Sequence, residues 1–426
     1  MIDRKICPSI KELGALSIIK AQKSALKNGL PLYTINAGSQ DLVKIEWVFD
    51  AGSRFEKQTL SALTTCVLLK EGSSKFTSEQ FAEAIDYYGV FFETDCNKDK
   101  SYLALYSLNK HLEKVLPVVE DAIKNAVFPD HELDVYKQNS KQKLLVNNQK
   151  VDFIARNHFA DLLFGSEHAY GKILRAEHYD GLKGDDIHAF YKNFYTASNC
   201  KLIVSGKVEE KSLHMLQDLF GQDDWTRTTE YTLPNLNPVN NSVRTHYIEK
   251  QDAFQSAIRI GRVLFNRTHP DFMGMMVLNT LLGGYFGSRL MSNIREDKGY
   301  TYGIGSGIVS MQQGGYFVIS TEVGAEVCEP ALKEIYFEIQ KLREEKVGAE
   351  ELELVKNYLL GTFLRSIDGP FALSDKFLSI LEYDLDYDYF ERYLTLIRNI
   401  TAEDIWVLAN KYLQEKDLIE LVVGKK

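Results

Sequence analysis

At 426 residues, with 45% hydrophobic and 26% charged side chains, the chain exceeds one ordinary core and reads as a globular protein of two or more domains. A formal charge of −9, with no Lys/Arg run longer than Lys425-Lys426, argues against a nucleic-acid partner. Five scattered cysteines (Cys7, Cys66, Cys96, Cys200, Cys328) include no C-x-x-C pair, which excludes a thiolate zinc site and a disulfide framework.

The N-terminus, Met1-Ile-Asp-Arg-Lys-Ile-Cys-Pro8, lacks the charged-then-apolar pattern of a secretory signal. No apolar window is long enough for a membrane span, and with reduced cysteines the expected location is cytoplasmic. Val43–Phe49 alternates apolar and polar residues and predicts a half-buried strand, and Tyr102–Leu108 predicts another. Apolar residues at helical spacing, Val115, Leu116, Val118, Val119, Ala122 and Ile123, predict a helix over 112–126. His158, His168, His178 and His188 recur every ten residues, about 2.8 helical turns, so they share no tight face and predict no metal site. The turn-rich, polar stretch between Phe220 and Lys250, with Pro234 and Pro238, predicts a linker over 222–245 between domains spanning 1–221 and 246–426.

In the second half, Ala257–Val263 and Gly315–Thr321 predict strands, and 330–342 a helix with proline near its start. Asp368-Gly-Pro370 reads as a turn between helices, and Tyr383–Phe390 as a loop leading into one. Thr401-Ala-Glu-Asp404 reads as a capping box. The halves also repeat. Ile187 and Ile405 stand 218 positions apart, as do Gly206 and Gly424, while Glu132-Leu133 and Glu351-Leu352 stand 219 apart. A common offset of about half the chain predicts two domains of similar α+β sandwich fold, with strands and helix pairs segregated.

Two segments carry chemistry. In Arg295-Glu-Asp-Lys-Gly-Tyr-Thr-Tyr302, Gly299 predicts a helix end followed by a strand, so that Arg295 leaves the last helical turn and Tyr302 the strand start. Arg295 brings a fixed charge and a planar fork of donors, and Tyr302 a phenolic donor. Leu282-Gly283-Gly284-Tyr285-Phe286-Gly287-Ser288 has two readings, which are compatible. It is a turn whose glycines adopt positive φ, or a flexible lip that touches substrate. Neither a Walker-A lysine nor dinucleotide-loop spacing is present.

Ala51-Gly-Ser-Arg-Phe-Glu56, Gly72, Ala169-Tyr-Gly171, Leu282–Leu290 and Arg295–Tyr302 together resemble the pitrilysin/insulinase peptidases over essentially the whole chain. The resemblance implies paired homologous α+β domains of the processing-peptidase type, forming half of a clamshell. It also implies a zinc helix with H-x-x-E-H, two His ligands and a Glu base. Registered on Gly72, those positions are Leu63, Cys66 and Val67. Leu and Val offer no lone pair to a metal, and Cys66 reads as a small buried hydrophobe. The region matching the third ligand, Tyr136–Leu145, has no carboxylate. No two of the nine histidines are four apart, so neither H-x-x-E-H nor H-E-x-x-H occurs anywhere. The family's substrate-pairing edge strand falls near Gly89–Thr94, with Phe92 and Glu93 in place of small polar residues. What the resemblance implies is a chain that binds no metal and no cofactor of its own. Its partners would be a zinc-bearing homologous subunit and a peptide or unfolded-protein substrate. It would present Arg295 and Tyr302 to that substrate, with Gly283, Gly284, Tyr285, Phe286, Gly287 and Ser288 as a substrate-binding lip. The alternative is an inert scaffold or peptide-binding subunit of a larger assembly.

Overall fold

The structure is a computed structural model that describes residues 17–226 and 242–426. The expected linker over 222–245 falls largely on 227–241, which lie outside the described residues.

The first half opens with three strands, β1 (Gln22–Ala25), β2 (Pro31–Asn36) and β3 (Leu42–Phe49). Helices α1 (Ser61–Leu68) and α2 (Ser78–Asp86) follow, then the hairpin of β4 (Phe91–Cys96) and β5 (Ser101–Leu108). Next come α3 (Leu112–Lys124), α4 (Asp130–Asn147), α5 (Val151–Phe164), α6 (Ala176–Gly181) and α7 (Gly184–Phe194). The half closes on β6 (Cys200–Gly206) and α8 (Glu210–Phe220). The second half begins with β7 (Thr245–Glu249), β8 (Gln255–Leu264) and α9 (Phe272–Asn279). Wide π-type turns over Thr280–Gly284 and Met291–Asp297 precede β9 (Ile304–Met311) and β10 (Gly314–Gly324). Then come α10 (Cys328–Glu344), α11 (Ala349–Arg365), α12 (Pro370–Leu381), α13 (Asp388–Asn399), α14 (Ala402–Tyr412) and β11 (Ile419–Gly424).

The two sheets have one topology. The first is ordered β1-β2-β6-β3-β5-β4 and the second β7-β11-β8-β10-β9. Apart from the extra β1, each strand has a counterpart in the same place. In both sheets the closing strand runs parallel to the first shared strand and antiparallel to the second. The fold is therefore two homologous α+β domains, as the repeat predicted.

Alternation along the strands divides each sheet between two cores. Val43, Ile45, Trp47 and Phe49 of β3 face the helices of their own half. Val48 points the other way, into a cluster with Phe363, Leu373, Phe377 and Phe390 of the second half. On the second sheet, Ile258 and Ile260 face their own helices. Ala257, Leu421 and Val423 instead meet Val151, Ala155 and Phe159 of α5. So α5 covers the second sheet, and α12 covers the first. Their first residues, Val151 and Pro370, stand 219 positions apart, at the repeat offset. The two halves exchange equivalent helices.

Polar pairs fix that exchange. Lys44, 3% exposed, bonds Glu46 at 2.8 Å and Asp375 of α12 at 2.7 Å. Burial pulls the Lys44 ammonium down, but the two carboxylates outweigh it and hold the group above its ordinary value. Ser374 donates to Glu46 at 2.5 Å. On the other sheet Arg259 of β8 pairs with Asp152 of α5. The Tyr383–Phe390 run does more than connect helices, because Tyr389 and Phe390 are buried in the shared cluster and Tyr387 stacks on Phe377 at 5.8 Å.

Phe377→Ala should cost about 3–5 kcal/mol, the usual range for a buried phenylalanine. Urea unfolding should remain one transition, followed alike by probes in either half, because neither sheet is covered without the other half. Two separate transitions in the parent chain would contradict the exchanged packing.

Candidate functional site

The motif loop Ala51–Glu56 acts as a brace. Gly52, Ser53 and Arg54 donate backbone hydrogen bonds to the carbonyls of Asp99 (3.2 Å), Asn97 (3.0 Å) and Lys98 (2.9 Å) in the β4–β5 turn. A Cβ on Gly52 would lie 2.3 Å from the Asp99 carbonyl carbon, so only glycine lets the turn approach. Arg54 and Asp99 approach to 3.3 Å. Both reach the second half, Arg54 through Gln312 (2.6 Å) and Asp99 through the Gln312 N–H (3.0 Å).

Glu56 turns back beneath α1, where it accepts a hydrogen bond from the Ala62 N–H at 3.3 Å. Burial pushes its carboxyl up to about 7. Leu63, Cys66 and Val67, the degenerate zinc-motif positions, all lie on α1. Cys66 is fully buried, donates to the Asp95 carbonyl at 3.3 Å, and burial pushes its thiol up to about 12. It is the inert small hydrophobe the sequence suggested. Leu63 packs against the core, as does Tyr136 of α4, the helix that matches the third-ligand region. Burial raises the Tyr136 phenol, with the Cys66 and Cys96 thiols close by. Among the described residues no group of three His, Cys, Asp or Glu could hold a metal ion. An aliphatic pair, a neutral thiol and a phenol do not fit zinc. His158 and His188 lie on separate helices, α5 and α7, with His178 on α6 and His168 between elements.

The second-half segment comes together around Arg295. Gly299 takes φ +65°, ending the helical stretch as predicted, but Tyr302 stands two residues before β9 rather than at the strand start. The Arg295 guanidinium lies 4.6 Å from the Phe286 ring centre and 5.5 Å from that of Tyr302. Phe286 is 60% exposed and Tyr302 93% exposed. Among the described residues Arg295 has no ion pair, and neither it nor Tyr302 makes a side-chain hydrogen bond. Arg289, six residues earlier, behaves differently: it is committed to a two-pronged pair with Glu351 at 2.8 Å. Asn293 pins the intervening turn to α10 through Glu334 (3.0 Å) and Glu338 (2.8 Å).

The glycine-rich segment is corrected in one respect. None of Gly283, Gly284 and Gly287 has a positive φ. Gly283 is required by crowding instead, since a Cβ there would lie 2.6 Å from the Ser306 backbone nitrogen of β9. Gly283 and Ser288 are buried, and Tyr285 is half-buried against Tyr358 at 4.8 Å. Gly284, Phe286 and Gly287 open to solvent and form the exposed part of the lip. The Arg295 group and the Leu63 group lie in different halves, and among the described residues no hydrogen bond, ion pair or ring contact joins them. The expected edge strand is present as β4, whose outer side is unpaired among the described residues and whose residues alternate in exposure. Sequence reading missed the carboxyl of Glu56 and the Lys98 ammonium near it. Their positions depend on the β4–β5 turn lying against the motif loop.

Gly283→Ala should destabilise by about 1–3 kcal/mol, as overpacking does, and lower the melting temperature without altering the exposed lip. Glu56→Gln tests the buried carboxyl. A folded-state value near 7, against 4.5 ordinarily, means the folded chain binds the extra proton, so stability falls as pH rises from about 5 to about 7. The glutamine variant should gain on the parent in thermal melts at pH 8 and lose that gain at pH 5.

Comparison with known proteins shows the family and the fold. The family model described as insulinase (peptidase family M16) matches residues 32–175, and that described as peptidase M16 inactive domain matches 181–359. An uncharacterized zinc protease of Rickettsia felis is 26% identical over 401 residues, covering 91% of this chain and 94% of that protein. A probable inactive metalloprotease of Bacillus subtilis is 24% identical over 242 residues, covering 56% and 54%. A crystal structure of a peptidase M16 inactive domain from Pseudomonas fluorescens superposes with a TM-score of 0.86 at 22% identity, covering 95% of this chain and 98% of that one. No helix among the described residues is long and apolar enough to cross a membrane. With both halves matched by the family's models, the chain belongs to the insulinase (M16) peptidase family, and its sequence carries no H-x-x-E-H.

Proposed function

We propose that the chain is the non-zinc-binding subunit of a heteromeric peptidase, working beside a zinc-bearing homologue. The observation that carries this reading is the state of Arg295. Its guanidinium lies over two exposed rings while its donors stay uncommitted among the described residues, although Arg289 nearby is bound to Glu351 through two nitrogens. A planar fork held by ring faces keeps its edge free for an incoming oxygen.

Cleaving a peptide bond develops negative charge on the scissile carbonyl oxygen, and preorganised donors stabilise it. Arg295 would supply charge and two parallel N–H groups, and Tyr302 a phenolic O–H. The metal, held by the partner, supplies the activated water. Substrates would be unfolded peptides or small proteins, because only an extended segment can add to a sheet edge such as β4. Phe286 would lie along such a segment and contribute apolar contact. The cytoplasm remains the proposed location.

The test is reconstitution of the chain with its zinc-bearing homologue, the pair being found by co-purification and metal analysis. Arg295→Ala with Tyr302→Phe should lower kcat of the complex about 100- to 1,000-fold, the usual cost of losing an oxyanion donor, while zinc content and assembly are unchanged. Unchanged turnover would reject the donor role and leave an inert scaffold. Zinc-dependent cleavage by this chain alone would reject the subunit reading.

A further inference from the structure

A cavity of about 370 Å³ opens beside Leu63, where the resemblance would place the metal. Its floor is apolar, made by Leu60, Leu63 and Leu174. Leu60 is buried and holds a left-handed backbone, φ 76°, at a cost of about 1–2 kcal/mol for a side-chain-bearing residue. Lys98 and Lys172 line the same cavity, near enough to each other for Lys172 to lower the Lys98 ammonium. Lys98 sits on the β4–β5 turn that the motif loop braces, so its backbone is fixed by the Arg54 N–H. Its half-buried ammonium has no ion pair or hydrogen bond among the described residues. Burial pulls it below its ordinary value, and Lys172 adds to that, while Glu56 offsets part.

We propose that this cavity is a binding site for a small aliphatic carboxylate, with the alkyl group on the leucine floor and the carboxylate between Lys98 and Lys172. The volume falls at the small end of ordinary ligand sites, which suits one side chain and one charged end. Apolar surface beside a cation with no direct partner selects an amphipathic anion. A singly charged anion is favoured over a multiply charged one because Glu167 also lines the cavity and would repel a second charge. Glu56, whose carboxyl burial pushes up to about 7, can donate its O–H to a ligand oxygen when protonated. Of the other charges lining the cavity, Arg54 lies 3.3 Å from Asp99 and donates to Gln312 through one nitrogen, its other two nitrogens being buried without a hydrogen-bond partner, and Glu167 is exposed. The carboxylate could be the C-terminal end of a peptide or a free short-chain acid. The site does not involve Arg295 or Tyr302, so it stands whether or not those residues act on substrate.

Calorimetric titration of the full chain at pH 6.5 should show binding of hexanoate or of N-acetyl-leucyl-leucine, and not of hexanamide or N-acetyl-leucyl-leucinamide. Tighter binding of the dipeptide assigns the site to peptide ends, and tighter binding of hexanoate to free acids. Lys98→Ala should weaken binding about tenfold or more, as loss of a charged hydrogen bond does, and Lys172→Ala less. Leu63→Trp should fill the cavity and abolish binding in a chain that melts normally, which separates occupancy from misfolding. Affinity should fall as pH rises from 6 to 8 in the parent and stay level in Glu56→Gln. Equal binding of acids and amides, no binding of any, or indifference to Lys98→Ala would overturn the proposal.

Discussion

Each sheet of this protein has two apolar faces, and its own half covers only one of them. The second face of the first sheet is closed by α12, and that of the second by α5. An uncovered face of a sheet this size would expose aliphatic side chains from several strands, which a soluble domain does not tolerate. The exchanged helices therefore make the halves mutually dependent and fix their relative placement. That placement carries the β9–β10 hairpin onto the β4–β5 turn, where Asp99 accepts from the Gln312 N–H and the Tyr170 hydroxyl. The turn that holds Lys98 is thus set from both sides, by the motif loop and by the other half.

The sheets were legible as alternation, since Val43–Phe49 and Ala257–Val263 show which residues point each way. Which layer each face would meet was not legible. Alternation predicts a half-buried strand with one solvated side, but β3 is buried on both sides, Lys44 and Glu46 lying beneath α12. For the same reason Tyr383–Phe390 reads locally as a loop, although its rings complete a core built from both ends of the chain. The glycine-rich segment shows a second limit. Its glycines suggest unusual backbone angles, but Gly283 answers to Ser306, 23 positions downstream, and no local pattern reports a clash at that distance. Gly299 was readable because its requirement is local: a helix ends there and the backbone must turn through positive φ.

The cavity beside α1 was invisible for a related reason. Leu63, Lys98 and Leu174 come from three separate elements, and Glu56 becomes unusual only when buried among them. What the sequence did reveal is the missing donor set. Once a metal is gone, a buried carboxylate or charged imidazole loses its counter-charge and becomes costly. Leucine, valine, a neutral thiol and a tyrosine in those places match that expectation. The absence of charged groups there follows from folding stability alone.

Arg295 and Tyr302 have no such explanation. Tyr302 is almost wholly in water, so its ring contributes little buried area. An exposed cation–π contact is worth about 0.5–1 kcal/mol, and the Phe286 ring could supply it without Tyr302. A surface arginine serving stability would resemble Arg289, with both prongs on a carboxylate. Arg295 instead lies over two exposed rings and makes no hydrogen bond or ion pair among the described residues. Uncommitted donors are what a group needs if it must meet charge that appears on another molecule. The energetic case thus separates the two halves: the first-half motif is explained by what it buries, and the second-half motif by what it leaves free.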